Sequence, residues 1–187
     1  MLFRSVEKCC HFFDLMNHIT AATPVRVLAS GAQDVNHLDE VYDGEVPDIL
    51  DNAFVIVDYD DGSRAMLDLC MFAEGSEHQE ELSVVGSTGK VEAFLPSSEL
   101  RVGTRAGGRA GVVTTTVHDD RVAYEGFHHG SSYLEHLDLL AAIRAGRAPD
   151  VGVADGLRSV AMGVAAHRSI DEGRAVTLAE VLADPNA

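Results

Sequence analysis

The chain has 187 residues, 46% of them hydrophobic and 24% charged, with 30 acids against 14 bases and a formal net charge of −16. This balance excludes a disordered chain, a collagen and a coiled coil, and the length suits one domain that buries a core without disulfide or metal staples. So acidic a surface repels phosphate, which makes nucleic acid and anionic membrane poor partners. Three cysteines, two adjacent at Cys9 and Cys10 and none in a CxxC, argue against a disulfide framework and a zinc ribbon. No apolar run approaches the ~20 residues of a membrane helix, and Arg4, Glu7 and Lys8 interrupt any leader-like apolar region. The expectation is a cytoplasmic protein.

In chain order, residues 5–20 read as a helix, with Val6, Cys9, Phe13, Met16 and Thr20 forming a buried stripe and Glu7, His11, Asp14 and His18 a polar one. Pro24 opens a strand over residues 25–29. Residues 31–52 carry seven acids and no base, and read as a solvated acidic loop; its Asp/Asn spacing does not match a calcium loop. Strands follow at 54–59 and 64–72 around Asp60-Asp61-Gly62-Ser63, and at 82–85 and 90–95 around Gly86-Ser87-Thr88-Gly89. A third pair, 100–104 and 112–117, flanks a Gly/Arg loop, and Tyr124 fits one more short strand. Ser132 and Glu135 have capping-box spacing before a helix that ends at Gly146. Another helix runs from about Asp155 to Glu172 and stops at Gly173; a short strand at 176–178 and a helical turn close the chain.

Helix, many antiparallel strands, then helices is an α+β order: an open, mainly antiparallel sheet with helices on one face, in a single domain over residues 1–187. Strands 53–57 and 64–72 are apolar on both faces, whereas an antiparallel sheet usually keeps one polar face. The second face therefore calls for a cover, and a protein partner is favoured over the 31–52 loop.

Several residues are apt for chemistry. Glu7 and His11 stand four apart on one helix face, where a carboxylate orients an imidazole and suits it to acid–base work. On spacing alone, a solvated face is commoner than a catalytic one. Zinc at this stripe is disfavoured by the lack of HExxH, so no metal is expected. His128 and His129 precede a helix start, where N–H groups meet polar ligands, or form an ordinary loop. Tyr133, in that helix's first turn, offers a hydroxyl or packs. Ala106-Gly107-Gly108-Arg109-Ala110-Gly111 is not GxGxxG, and Gly86-Ser87-Thr88-Gly89-Lys90 is too short for a P-loop; both sit between strands and read as turns. No GxSxG occurs.

The segments VEKCCHFFDLM, PVRVLASGAQ, DNAFVIVDYDDGSRAMLDL and ELSVVGSTGKVEAF, with the closing YLEHLDLLAAIRAGRAPDVGVADGLRSVAMGVAAHRSIDEGRAVTL, come in an order that resembles the C-terminal domain of the Gfo/Idh/MocA (glucose-fructose oxidoreductase / inositol dehydrogenase) family. The resemblance implies a substrate-binding and oligomerisation domain of an NAD- or NADP-dependent oxidoreductase acting on a sugar, cyclitol or related polyol. It also implies that the sheet's free face makes a homo-oligomer. By resemblance His11 exchanges a proton with the substrate hydroxyl and Glu7 orients it, standing where the family usually has Asp. His129 and Tyr133 fall at substrate contacts. Lys8 adjoins the Glu7/His11 pair and is counted with the substrate contacts; it is not the family's catalytic lysine, which lies in the Rossmann domain. That N-terminal domain is absent from this sequence, so the expectation is a chain that alone binds no cofactor and has no dehydrogenase activity. The alternative is a non-catalytic assembly module that pairs through its sheet with itself or with a complete family member.

Overall fold

A computed structural model describes residues 4–184, with side chains from Cys9 onward. The α+β class and the antiparallel pairing hold, and the strands fall into two four-stranded sheets in two compact units, residues 1–73 with 151–187 and residues 74–150.

The first unit holds α1 (Arg4–Thr20), β1 (Pro24–Ala32), β2 (Asn52–Tyr59) and β3 (Arg64–Cys70). The second unit supplies β4 (Glu80–Val85), β5 (Gly89–Leu95), β6 (Glu99–Thr104), β7 (Val113–Thr116) and α2 (Ser131–Ala145). The chain then returns to the first unit with α3 (Val153–Glu172), β8 (Val176–Thr177) and α4 (Leu178–Leu182).

In the first unit the sheet order is β3-β2-β1-β8, every pair antiparallel. The alternation of strand side chains sends Val27, Val57 and Ala65 to one face in one cross-strand row, and Ala29, Val55 and Leu67 in the next. Cys9 and Phe13 of α1, Ala161, Met162, Ala165 and Ala166 of α3, and Leu178 and Val181 of α4 close over that face. The alanines of α3 bring its backbone close to α1 and the sheet, so the core fills with few large side chains.

β8 pairs only with Arg26 and Val27, so the Ala29 N–H further along β1 has no strand neighbour on that side. Ser169, fully buried on α3, accepts from it at 2.8 Å and donates to the Arg174 carbonyl at 2.6 Å. One hydroxyl thus satisfies two backbone groups that burial would otherwise leave costly.

The opposite face stays open. Leu28, Ile56 and Met66 form one cross-strand row with Phe54 beside it, and they are between 42% (Ile56) and 63% (Met66) exposed. The acidic loop does not cover them; its end instead buries Ile49 completely. The loop is anchored by Asp51, whose carboxylate is fully buried. It accepts N–H bonds from Asp34, Val35 and Asn36 at 2.7–3.1 Å and one from the Asn52 side chain at 2.9 Å.

In the second unit the sheet order is β4-β5-β6-β7. Register aligns Val84, Val91, Val102 and Val113 in one row across all four strands, with Leu82, Ala93, Leu100 and Thr115 in a second row on the same face. On the other face Phe94 is buried under the Arg101 guanidinium, 4.5 Å from its ring, and beside His78. Tyr124 lies outside any strand. The Ser132–Glu135 capping box is not made: α2 starts at Ser131, after Gly130 at φ 89°, with no side-chain cap. A Cβ on Gly130 would meet Val122 at 2.6 Å, so a bare, left-handed residue is required there and supplants the cap. The stops at Gly146 (φ 64°) and Gly173 (φ 63°) fall where the sequence sets them.

Burial pushes the Asp51 carboxyl up, but its four N–H donors outweigh that and hold it down at about 2. A lowered folded-state value stabilises the protein above the ordinary carboxylate range, and that contribution disappears as pH falls through about 2. The shift corresponds to about 2 kcal/mol. Asp51→Asn is expected to cost about 2–3 kcal/mol at pH 7, because an amide turns a donor toward N–H groups. It should also flatten the loss of stability between pH 4 and 2; urea unfolding at several pH values reads both effects.

Candidate functional site

The roll of α1 about its axis decides which of its residues are available. Cys9, Phe13 and Asn17, spaced by four, face the core and are buried. Asn17 accepts a hydrogen bond from the Tyr59 hydroxyl on β2 at 3.1 Å, in a setting whose burial pushes the phenol up to about 12. This turns His11 and His18 outward, and both are exposed. Asp14 leaves the polar stripe: it is half-buried and accepts from Ser159 of α3 at 3.4 Å. The stripe is thus two exposed imidazoles, two helical turns apart, and one carboxylate engaged with a neighbouring helix. Asn17, in the interior, was not legible as a polar core residue. The side chains of Glu7 and Lys8 lie outside the described residues.

His129 and Tyr133 belong to the second unit. His129 is exposed at φ 51°, directly before Gly130 and the start of α2. Tyr133, half-buried in the first turn, meets the edge of Tyr124 at 6.0 Å between ring centroids. Among the described residues no group of three His, Cys, Asp or Glu is placed to hold a metal ion, and no helix is long and apolar enough to cross a membrane. Every strand pair is antiparallel, so no described strand–helix–parallel strand crossover offers the helix N-terminus on which a dinucleotide's pyrophosphate ordinarily rests.

An antiparallel α+β domain with an exposed histidine on its first helix matches the family model described as the oxidoreductase family, C-terminal alpha/beta domain, over residues 5–178. The chain belongs to that family, the Gfo/Idh/MocA oxidoreductases. It is 29% identical over 182 residues to a myo-inositol 2-dehydrogenase of Thermotoga maritima, covering 95% of this chain and 49% of that one. Among solved structures, an oxidoreductase from Agrobacterium radiobacter in complex with NAD+, L-tartaric acid and magnesium superposes with a TM-score of 0.73 at 18% identity, covering 92% of this chain and 48% of the other. A UDP-N-acetylglucosamine 3-dehydrogenase from Acidithiobacillus ferrooxidans does so with a TM-score of 0.67 at 18% identity, covering 87% and 45%. These likenesses are of fold. The chain spans about half the length of the relatives it matches.

The Tyr59–Asn17 bond is one of the contacts that hold α1 in the roll that exposes His11. Tyr59→Phe removes its only donor, and is expected to lower stability by about 1–2 kcal/mol, read by chemical denaturation. Amide exchange in α1 should accelerate in the same variant.

Proposed function

We propose that this chain is the substrate-binding and oligomerisation domain of an NAD(P)-dependent oxidoreductase that acts on a sugar, cyclitol or related polyol. The observation that carries the reading is His11: family membership is shown, and the first helix presents this imidazole to solvent while its opposite side is locked into the core. The likeness to a myo-inositol 2-dehydrogenase supports a cyclitol or sugar as the substrate class.

In this reading an imidazole nitrogen of His11 accepts the proton from the substrate hydroxyl as the carbinol carbon is oxidised, and returns it in the reverse reaction. Glu7, four residues earlier on the helix, orients the ring. Lys8, beside that pair on the same helix, contacts another of the substrate's hydroxyls, which needs a donor that an all-apolar wall would lack. The setting is cytoplasmic, in keeping with an odd cysteine count and no CxxC spacing.

Oligomerisation rests on the open face of the first unit's sheet. Leu28, Phe54, Ile56 and Met66 form a contiguous apolar surface that no described element of the first unit covers, a pattern suited to burial against a second copy. The same face favours a second reading, a non-catalytic assembly module that pairs with itself or with a complete family member.

Two experiments separate these. In the protein carrying this domain together with an NAD(P)-binding domain, His11→Ala is expected to lower kcat by about 10²–10⁴-fold with a much smaller change in KM. Unchanged turnover overturns the catalytic assignment and leaves the assembly reading. Light scattering of the chain is expected to give a dimer or larger species, and Ile56→Glu with Met66→Glu to give a monomer. A monomeric parent chain overturns the sheet-face contact in both readings.

A further inference from the structure

The two glycine-rich segments that read as separate turns, Gly86–Lys90 and Ala106–Gly111, converge in the second unit. The Arg105 N–H donates to the Thr88 carbonyl at 2.7 Å, and the Gly107 N–H to the Thr104 hydroxyl at 3.2 Å. Between them, at the end of the β4–β7 sheet, opens a hollow of about 870 Å³ counting the solvent at its mouth. Lys90, Arg105 and Arg109 line it together with the hydroxyl residues Ser87 and Thr104, and its lining contains no carboxylate.

That composition is unusual for this chain. Acids outnumber bases by 30 to 14, and most of its described arginines sit against a carboxylate: Arg26 and Arg64 on Asp58, Arg121 on Asp119, Arg147 on Asp138, Arg174 on Glu172 and Glu180. Arg105 and Arg109 have no ion-pair partner among the described residues, and both border the same hollow. Lys90 is partly neutralised by Glu92 at 2.7 Å. Glycines keep the space open. Gly103 is the cross-strand partner of Lys90, and a side chain there would press Val112 at 3.1 Å. Gly108, at φ 55°, suits only a residue tolerant of the left-handed region.

We propose that this hollow binds the phosphoryl group of a small molecule, as a phosphate ester or a diphosphate. Two unpaired guanidiniums offer forked donor pairs that match phosphate oxygens, and a lysine and two hydroxyls add single donors. Three cations at one place exceed what a single carboxylate needs and suit a dianion or trianion. A nucleic acid is disfavoured, because a polyanion that extends beyond the hollow meets the acidic remainder of the surface. The site lies in the second unit and its argument does not depend on the role of His11.

The test is titration of the full chain with inorganic phosphate, with pyrophosphate and with citrate at low ionic strength, followed by calorimetry and by amide shifts. Saturable binding is expected, with shifts concentrated in residues 86–90 and 103–112. Arg105→Gln with Arg109→Gln should weaken it at least about tenfold, and each single variant about threefold. The amide spectrum away from these segments reports that the variants remain folded, and both arginines are exposed. A preference for pyrophosphate of about tenfold or more assigns a diphosphate, and near-equal binding of phosphate assigns a monoester. The absence of saturable binding, affinity unchanged in the double variant, or citrate bound as tightly as pyrophosphate would each overturn the proposal.

Discussion

The outward direction of the first helix's imidazoles follows from one packing constraint. Phe13 is fully buried against a sheet face made of valines, alanines and Leu67, and Cys9 and Asn17 lie one turn to either side of it. Three buried residues at four-residue spacing hold the roll of the helix, because rotation would bring the Phe13 ring out of the core. The outward direction of His11 is therefore not a local choice. It is set by Val55 and Val57 on β2 and by the alanines of α3, which come from the far end of the sequence. The direction of an exposed side chain is fixed here by the packing of the buried ones beneath it.

A second constraint is the satisfaction of backbone groups where regular pairing ends. β1 outruns its short neighbour β8, and Ser169 takes over at Ala29. The loop after β1 outruns its neighbours too, and Asp51 gathers three successive N–H groups there. These residues are polar and wholly buried, and their burial is tolerable because each is bonded by the backbone. Asp51 converts the start of a long, acidic segment into a fixed turn, so the anionic character of residues 31–52 and their order coexist.

The sequence was legible where pattern and geometry coincide. Apolar alternation marked β2 and β3, two-sided hydrophobicity anticipated the open face with Leu28, Ile56 and Met66, and Gly146 and Gly173 marked helix stops. Where side chains act at long range, it was opaque. Asp51 resembles its acidic neighbours in composition and differs only in pointing inward. Asn17 lies among residues that a stripe of Met16 and Thr20 seemed to supply. Ser132 and Glu135 had the spacing of a cap, but close approach of Val122 put a glycine at the helix start instead. The cationic hollow failed for a related reason: its two halves were each read correctly as turns, and the hydrogen bond from Arg105 to Thr88 that joins them spans strands β5 and β6. Glu7 and His11 were legible as a spaced pair, and His11 as an exposed residue; a four-residue interval is information that a helix conserves.

The first unit is discontinuous in sequence, with residues 74–150 interposed between β3 and α3. During synthesis α1 and β1–β3 leave the ribosome with half of their core missing. At ~5–20 residues per second the inserted unit takes on the order of ten seconds to emerge before α3 arrives. Through that interval Phe13, Val27 and Val57 have no α3 to close over them, and the edge of β1 waits for β8. The nascent chain therefore passes through a half-built stage in which both faces of the β1–β3 sheet are apolar and uncovered.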